Sequence, residues 1–284
     1  RVRSSAASDV YKRQLPKCAD VEIPSRHLGL SLDEDFCFEE FADRVAELVE
    51  KHVNINRLLE LTKPVATAVV PISAGRHIYK REPSFPIAVA CDPAFNFVYE
   101  ANIRYLHHLG EVTYFSPLAD TSLPDAGFVY LPGGYPELYL AALSANRQML
   151  QSIRRYVESG GKLLAECGGM MYLCDEIRDK NGDVYPMAGV LHQSATMENM
   201  KLRLGYRTLL YNETRLKGHE FHYSRLVEQQ NPLPSCAVAY TAKGVETDTP
   251  LYHYKNVWAG YTHLYWADPV GNEWFTKFVI DGNT

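Results

Sequence analysis

Between residues 86 and 165, short continuous apolar runs alternate with longer segments of helical periodicity. Four of the runs predict strands that are buried on both faces, at residues 86–91, 112–115, 127–131 and 162–165. Apolar residues at helical spacing predict helices over 97–109 and 146–159, ended by Gly110 and by the Gly160 and Gly161 pair. Strands that alternate with helices in this way predict right-handed crossovers and a mostly parallel sheet.

After residue 187 the sequence becomes rich in β-forming residues. It predicts four further strands and a last helix, at residues 203–211, 219–223, 237–241, 257–265 and 272–280. The segment 86–284 therefore predicts one three-layer α/β domain with a mostly parallel sheet.

The residues before this domain fall into three segments. Residues 1–14 (RVRSSAASDVYKRQ) show no apolar period and resemble translated sequencing-adaptor text, so we expect a non-native segment. Residues 15–61 carry two helical patterns, one capped by Ser31 and one over 55–61, with too little apolar surface for a separate domain. Prolines and small residues at 62–85 predict a linker.

Composition narrows the functional class. Of 284 residues, 46% are hydrophobic and 22% charged, as in an ordinary globular protein, and the net charge of −5 argues against nucleic acid as a partner. No uncharged apolar stretch reaches the ~18 residues of a membrane-spanning helix. Six scattered cysteines without a C-x-x-C pair predict neither disulfides nor a metal site. These features indicate a metabolic enzyme of the reducing cytoplasm.

The segment AECGG at residues 165–169 joins a predicted buried strand to a helix. Such a turn, like the G-x-S-x-G elbow, exposes its central side chain at the carboxyl edge of a parallel sheet. The central residue is Cys167, so the pattern predicts a nucleophilic thiol whose pKa the helix start lowers. The alternative is a small buried cysteine without chemistry, which the flanking Gly168 and Gly169 disfavour.

A second glycine turn, LPGGYPE at residues 131–137, follows the strand predicted at 127–131. Gly133 and Gly134 permit a close approach of the backbone. We expect the backbone N–H groups of Gly134 and Gly168 to form an oxyanion hole, whereas the alternative is a plain turn.

A thiol nucleophile needs a general base, and three histidines lie in strand-like segments. His219 and His222 belong to GHEFHYS, and His263 belongs to GYTHLY. Because side chains alternate along a strand, His219 and His222 are predicted on opposite faces. The residues alone leave all three histidines open as the base.

Six strings carry a family resemblance: PIAVACDPAFNFVYEAN, YFSPLAD, LPGGYPELY, AECGGMMYL, LGYRTL and GHEFHYS. They resemble the glutaminase domain of the class I glutamine amidotransferases and, more narrowly, the cobyrinic acid a,c-diamide synthases of cobalamin biosynthesis. The resemblance implies that Cys167 attacks the side-chain amide of glutamine to form a γ-glutamyl thioester, while His263 cycles the protons. The released ammonia would amidate the a and c carboxylates of a corrin ring.

One position departs from the wider class, whose last motif reads G-x-x-H-x-E. Tyr265 stands in place of that glutamate, as in the cobyrinic acid group, and Asp268 is one candidate to replace it. Two roles are open for the segment GHEFHYS. It is either structural, or one of its faces contacts the corrinoid or another domain. The candidates for such a contact are His219, His222, Tyr135 and Glu137.

The resemblance extends to IPSRHLGL at residues 23–30, which is similar to the end of the family's N-terminal, dethiobiotin-synthetase-like P-loop domain. It implies ATP and Mg²⁺ as cofactors of the complete enzyme, and 15–61 as a remnant of that domain. No G-x-x-x-x-G-K-[ST] occurs in residues 1–85, so we expect this chain alone to hydrolyse glutamine without completing the amidation.

Several alternatives stay open. The acceptor is cobyrinic acid or a related tetrapyrrole, hydrogenobyrinic acid or nickel-sirohydrochlorin, and GHEFHYS with RHLGL favours the a,c-diamide group over the cobyric acid synthases. A non-catalytic docking domain is disfavoured because Cys167 and His263 are retained. A cysteine hydrolase that acts alone is disfavoured by residues 15–61. A homodimer is left open.

Overall fold

The computed structural model describes residues 15–22, 25–26, 29–30, 37–62, 85–230 and 232–281. The chain divides into two compact units, residues 1–76 and 77–284. The expectations for residues 1–14, for the Ser31 cap and for most of the linker at 62–85 fall outside the described residues.

The first unit contains few elements: a 3-10 turn Ala19–Val21, strands β1 (Ser25–Arg26) and β2 (Gly29–Leu30), and helices α1 (Phe38–His52) and α2 (Ile55–Leu61). The two short strands pair antiparallel, which the sequence pattern did not predict. Within the two described helices no side chain is buried.

The second unit contains the remaining elements. Its helices are α3 (Glu100–Leu109), α4 (Leu140–Ala145), α5 (Arg147–Glu158), α6 (Gly168–Leu173) and α7 (Pro269–Thr276), with a 3-10 turn Pro136–Leu138 and a π-helical turn Lys277–Asp281. Its strands are β3 (Phe85–Ala90), β4 (Gly110–Phe115), β5 (Phe128–Leu131), β6 (Lys162–Glu166), β7 (Glu176–Arg178), β8 (Val184–Pro186), β9 (Ser194–Thr196), β10 (Arg203–Tyr211), β11 (Thr214–His222), β12 (Arg225–Leu226), β13 (Val238–Thr241), β14 (Glu246–Thr247), β15 (Leu251–Tyr254), β16 (Val257–Gly260) and β17 (His263–Leu264).

A six-stranded sheet in the order β15-β16-β6-β5-β3-β4 forms the centre of the second unit. All neighbouring pairs in it are parallel except β15 and β16, at one edge. The predicted mostly parallel sheet is therefore confirmed.

Side chains of this sheet alternate between two apolar cores on its opposite faces. Along β3, Ala88 and Ala90 enter one core, whereas Ile87 and Val89 enter the other. Helices α4, α5 and α6 pack into the first core, and α3 and α7 pack into the second. An antiparallel sheet in the order β14-β13-β10-β11-β17 also covers the second face. The predicted three layers are confirmed, and one outer layer combines helix with sheet.

The strand predicted at 257–265 is in fact two strands in two different sheets. β16 continues the central sheet, whereas β17 pairs with β11 of the antiparallel sheet. Because every residue from 257 to 264 is buried, the sequence pattern carried no sign of the crossing between them.

Other predictions were wrong in detail. α3 begins at Glu100 and not at Phe97. Gly110 is its C-cap, as predicted, since its N–H donates to the Leu106 carbonyl, and it also opens β4. The last helix begins at Pro269 because Asp268 caps it. The helix α4 and the strands β7, β8, β9 and β15 were not predicted, since elements this short show no period. Across the described ranges, no helix is long and apolar enough to cross a membrane.

Candidate active site

The predicted site residues follow the carboxyl ends of three neighbouring strands. Leu131 at the end of β5 lies beside Ala165 of β6, and Glu166 of β6 lies beside Gly260 of β16. The glycine turn, Cys167 and His263 come within three residues of these ends, so one edge of the sheet collects them.

Cys167 occupies a strained turn between β6 and α6. Its φ of 48° and ψ of −106° lie outside the regions that non-glycine residues favour, which costs about 1–3 kcal/mol. The surrounding backbone supports this conformation, because the Cys167 N–H donates to the carbonyl of Gly260 at 2.7 Å. Gly169 permits close packing below the turn, where an added Cβ would lie 2.8 Å from the Pro132 carbonyl oxygen. The geometry is that of a nucleophile elbow.

The electrostatics of the thiol differ from the sequence-based expectation. Burial raises the pKa of Cys167 well above its usual range, and the Glu137 carboxylate raises it further. The N–H of Gly168 at the helix start lowers this pKa, as predicted, but it does not offset the burial. The thiol of Cys167 is therefore neutral, because burial outweighs the lowering of its pKa by the helix start.

The glycine turn packs against the His263 side chain and against Gly168, the residue after Cys167. An added Cβ at Gly168 would lie 3.2 Å from the backbone nitrogen of Gly134, and one at Gly133 would lie 2.9 Å from Nδ1 of His263. Gly134 has a φ of 156°, and its Cβ would meet Cα of Phe95 at 2.9 Å. The turn therefore requires glycine at these positions, and an oxyanion hole at Gly134 and Gly168 stays a prediction.

His263 is buried between two other rings. Its ring centroid lies 4.5 Å from that of Phe97, and it stacks on His219 at 5.0 Å. Burial lowers the pKa of His263 to about 3, and the neighbouring His219 and His222 contribute in the same direction. The imidazole is therefore neutral at physiological pH and able to accept a proton.

Among the described residues, no carboxylate bonds to Nδ1 of the His263 ring. Nδ1 of His263 is buried and has no hydrogen-bond partner among the residues that the structure describes. Tyr265, in the place of the usual glutamate, is partly exposed and packs edge-on against Tyr99. The suggestion that Asp268 replaces the glutamate is wrong, because its carboxylate caps α7 through the Gly271 N–H at 2.7 Å and pairs with Lys217.

The GHEFHYS strand presents two chemically different faces, as predicted. Glu220 and His222 are buried, whereas His219 and Phe221 are partly exposed. Glu220 pairs with Arg207 at 2.8 Å, and His222 stacks on Tyr261 at 3.8 Å. His222 therefore lies in the interior, and only the His219 face is available for the contact that the sequence suggested.

Tyr135 and Glu137 lie beside the elbow on the glycine turn. The Tyr135 N–H donates to the Ala94 carbonyl at 2.9 Å, which fixes the backbone after Gly134. Burial raises the pKa of Glu137 to about 7, and this carboxylate in turn raises the pKa of Cys167. Both residues therefore border the thiol, and a contact with another domain stays a prediction.

Sequence reasoning missed two buried polar residues near the site, Glu166 and Asn102. Glu166 accepts the N–H of Leu264 at 3.0 Å, and Asn102 donates to the Leu264 carbonyl at 2.8 Å. A carboxylate at the end of the apolar strand KLLAE was the available signal, because a buried charge needs partners. Within the described part of the chain, no group of three or more His, Cys, Asp or Glu residues is arranged to hold a metal ion.

We expect the alkylation of Cys167 by iodoacetamide to accelerate steadily from about pH 6 to about pH 9.5 without a plateau. The thiolate is the reactive form, and a raised pKa keeps its fraction small over this range. Peptide mapping by mass spectrometry separates Cys167 from the other cysteines, and free cysteine, with a pKa of about 8.5, is the control. A plateau below about pH 8 at Cys167 would contradict the buried neutral thiol.

Known proteins with similar sequences share this site region. Residues 86–270 match the family described as the CobB/CobQ-like glutamine amidotransferase domain. The chain is 36% identical to the hydrogenobyrinate a,c-diamide synthase of Stutzerimonas stutzeri, over 90% of this chain and 58% of that protein. Identity is 38% to the Pseudomonas aeruginosa protein of the same name, over 88% of this chain and 56% of that protein. The chain is 35% identical to the cobyrinate a,c-diamide synthase of Clostridium acetobutylicum, over 94% of this chain and 60% of that protein.

The chain thus spans 56–60% of the length of these relatives. Among solved structures, a glutamine amidotransferase matches with a TM-score of 0.46 at 16% identity, covering 68% of this chain and 98% of that one. PurLQS from Thermotoga maritima matches with a TM-score of 0.46 at 17% identity, covering 70% and 96%. By the match over residues 86–270, this chain belongs to the CobB/CobQ-like glutamine amidotransferase family.

Proposed function

We propose that this chain is the glutamine-hydrolysing part of an a,c-diamide synthase that acts on cobyrinic acid or hydrogenobyrinic acid. The observation that carries the proposal is the convergence of the Cys167 elbow, the glycine turn and the buried His263 at one sheet edge. The names of the curated relatives support the a and c carboxylates of such a tetrapyrrole as the acceptors.

The first chemical step couples nucleophilic attack to proton transfer. The raised pKa of Cys167 and the lowered pKa of His263 leave both groups neutral before substrate binds. Sγ of Cys167 therefore attacks the side-chain amide carbon of glutamine while His263 takes the thiol proton. The N–H groups of Gly134 and Gly168 stabilise the oxyanion that forms. His263 then protonates the leaving nitrogen, ammonia departs, and water hydrolyses the γ-glutamyl thioester to glutamate.

The ATP-dependent half of the reaction is assigned to the part of the enzyme that lies outside this chain. The chain spans 56–60% of the length of its relatives, which leaves room for a domain that binds ATP and Mg²⁺. Residues 15–61 are proposed to be the end of that domain. The free cysteines suit an enzyme of the reducing cytoplasm.

The exposed face of GHEFHYS is proposed to face the ATP-dependent part. We define an aromatic rim by five residues of this face: Phe97, Tyr99, Tyr206, His219 and Phe221. Phe97 and His219 contact the His263 ring, and Tyr99 packs against both of them. Tyr206 is 75% exposed and lies opposite His219 in the pairing of β10 with β11. An exposed apolar patch of this kind marks an interaction surface, and ammonia released at Cys167 must reach an acceptor held by that part.

In the purified 284-residue chain, Cys167→Ser is expected to abolish glutamate release from glutamine, because the nucleophile is lost. His263→Asn is expected to slow it by about 10²–10⁴-fold, the usual contribution of a general base. His219→Asn is the matched control and should lose far less. A larger loss at His219 than at His263, in variants with unchanged melting temperatures, would reverse the choice of base.

In a complete enzyme, built by joining this chain to the ATP-dependent part of the Pseudomonas aeruginosa relative, Cys167→Ser should abolish diamide formation with glutamine but not with ammonia. The reason is that only the nitrogen supply depends on the thiol. Mass spectrometry of the products from cobyrinic and hydrogenobyrinic acid also identifies the acceptor. Loss of both nitrogen sources in the folded variant contradicts the proposal, as does ATP-dependent diamide formation by the 284-residue chain alone.

In the same complete enzyme, Tyr206→Ser should lower glutamine-dependent amidation while the glutamate release of the isolated chain stays unchanged. The substitution removes a ring of the rim that is 75% exposed, and Cys167 and His263 stay in place. Val245→Ser is the control, since Val245 is 62% exposed and lies outside the rim. Equal effects of the two substitutions would exclude the rim as the contact surface.

A further inference from the structure

The strand that carries His263 has one edge that none of the described strands covers. Within the described part of the chain, β17 is the last strand of its sheet and pairs only with β11. Leu264 follows His263, is 2% exposed, and turns its backbone N–H and carbonyl away from β11. Buried backbone groups without partners would cost several kcal/mol, on the order of 1–3 for each. The fold must therefore satisfy this edge by other means.

Two buried side chains take the place of the missing strand. Glu166 accepts the Leu264 N–H through Oε1 at 3.0 Å and the Tyr130 hydroxyl through Oε2 at 2.7 Å. Asn102 donates to the Leu264 carbonyl at 2.8 Å and accepts the Trp266 N–H at 2.9 Å. The N–H and the carbonyl of Leu264, directly after His263, are thus both hydrogen-bonded, one to a side chain of the central sheet and the other to a side chain of α3.

Glu166 also precedes the nucleophile in the chain. Its own peptide continues into Cys167, and its side chain reaches the residue after His263. One residue therefore connects the backbone of the thiol to the backbone of the imidazole. This connection matters because Nδ1 of His263 has no hydrogen-bond partner within the described ranges, so no hydrogen bond to this nitrogen orients the ring.

We propose that Glu166 is a positioning residue for His263, which replaces the orienting carboxylate of a triad by holding the backbone instead of the ring. This inference rests on the proposed function, since it assigns the alignment of the base with the thiol. Asn102 completes the same clamp from the opposite side of Leu264. Burial raises the pKa of Glu166 to about 8, so a neutral amide is a fair replacement for its carboxyl group.

The test compares Glu166→Gln with Glu166→Leu in the 284-residue chain. The glutamine oxygen still accepts the Leu264 N–H, and its amide donates to the Tyr130 hydroxyl, so turnover of glutamine should stay within a few-fold of the parent. Leucine keeps the volume but loses the bond. We expect it to lower kcat at least about tenfold, part of the contribution of the base, with KM for glutamine unchanged. Tyr130→Phe is the matched control, because it removes the other bond of Glu166 and leaves the clamp.

A double-mutant cycle separates positioning from a merely structural role. If Glu166 acts through His263, Glu166→Leu should cause no further loss in a His263→Asn background, whereas an independent effect would multiply. Asn102→Leu gives the same comparison if Glu166→Leu fails to fold. Full additivity in the cycle, or equal kcat for the Gln and Leu variants, overturns the proposal.

Hydrogen exchange of the Leu264 amide tests the contact between Glu166 and Leu264 independently of activity. Its protection should fall in Glu166→Leu and persist in Glu166→Gln and Tyr130→Phe. If the parent chain releases no glutamate, the proposed function fails, and exchange still tests the contact. If the parent is active and protection is the same in all variants, the positioning role alone fails.

Discussion

The hydrogen bond from the Cys167 N–H to the Gly260 carbonyl holds the site together, because it joins the two strands whose extensions carry the thiol and the imidazole. It continues the parallel pairing of β6 with β16 one residue beyond the strand end. The left-handed backbone of Cys167 is unfavourable by itself and persists only because such neighbours hold it. The crossing that leads to His263 starts from the same Gly260, so the thiol and the base share one anchor.

Burial determines the protonation states of Cys167 and His263. The same low-dielectric surroundings raise the pKa of Cys167 and lower the pKa of His263, so both groups rest in their neutral forms. A carboxylate at Nδ1 would favour the imidazolium and an ion pair with the thiolate. With Phe97 and His219 as the walls instead, the proposed mechanism moves the proton together with the formation of the carbon–sulfur bond. In these surroundings His263 is only 4% exposed.

The parallel sheet and the elbow could be predicted because their signals are local. Continuous apolar runs marked β3 and β5, and the glycines around Cys167 marked the turn. The crossing between β16 and β17 could not be predicted, since both strands are wholly buried and show no change of pattern. The raised pKa of the Cys167 thiol could not be predicted either, because the sequence shows the helix start but not the depth of burial.

The proposed roles of Glu166 and Asn102 could not be predicted from the sequence. Each bonds to a backbone group rather than to a side chain, so no residue type at position 264 records the contact. A triad carboxylate fixes one ring and tolerates a loosely held strand. A clamp on the backbone fixes the strand and leaves the ring to its aromatic walls, Phe97 and His219, which both belong to the aromatic rim. An ATP-dependent part that docks on this rim would therefore be separated from His263 by a single layer of rings.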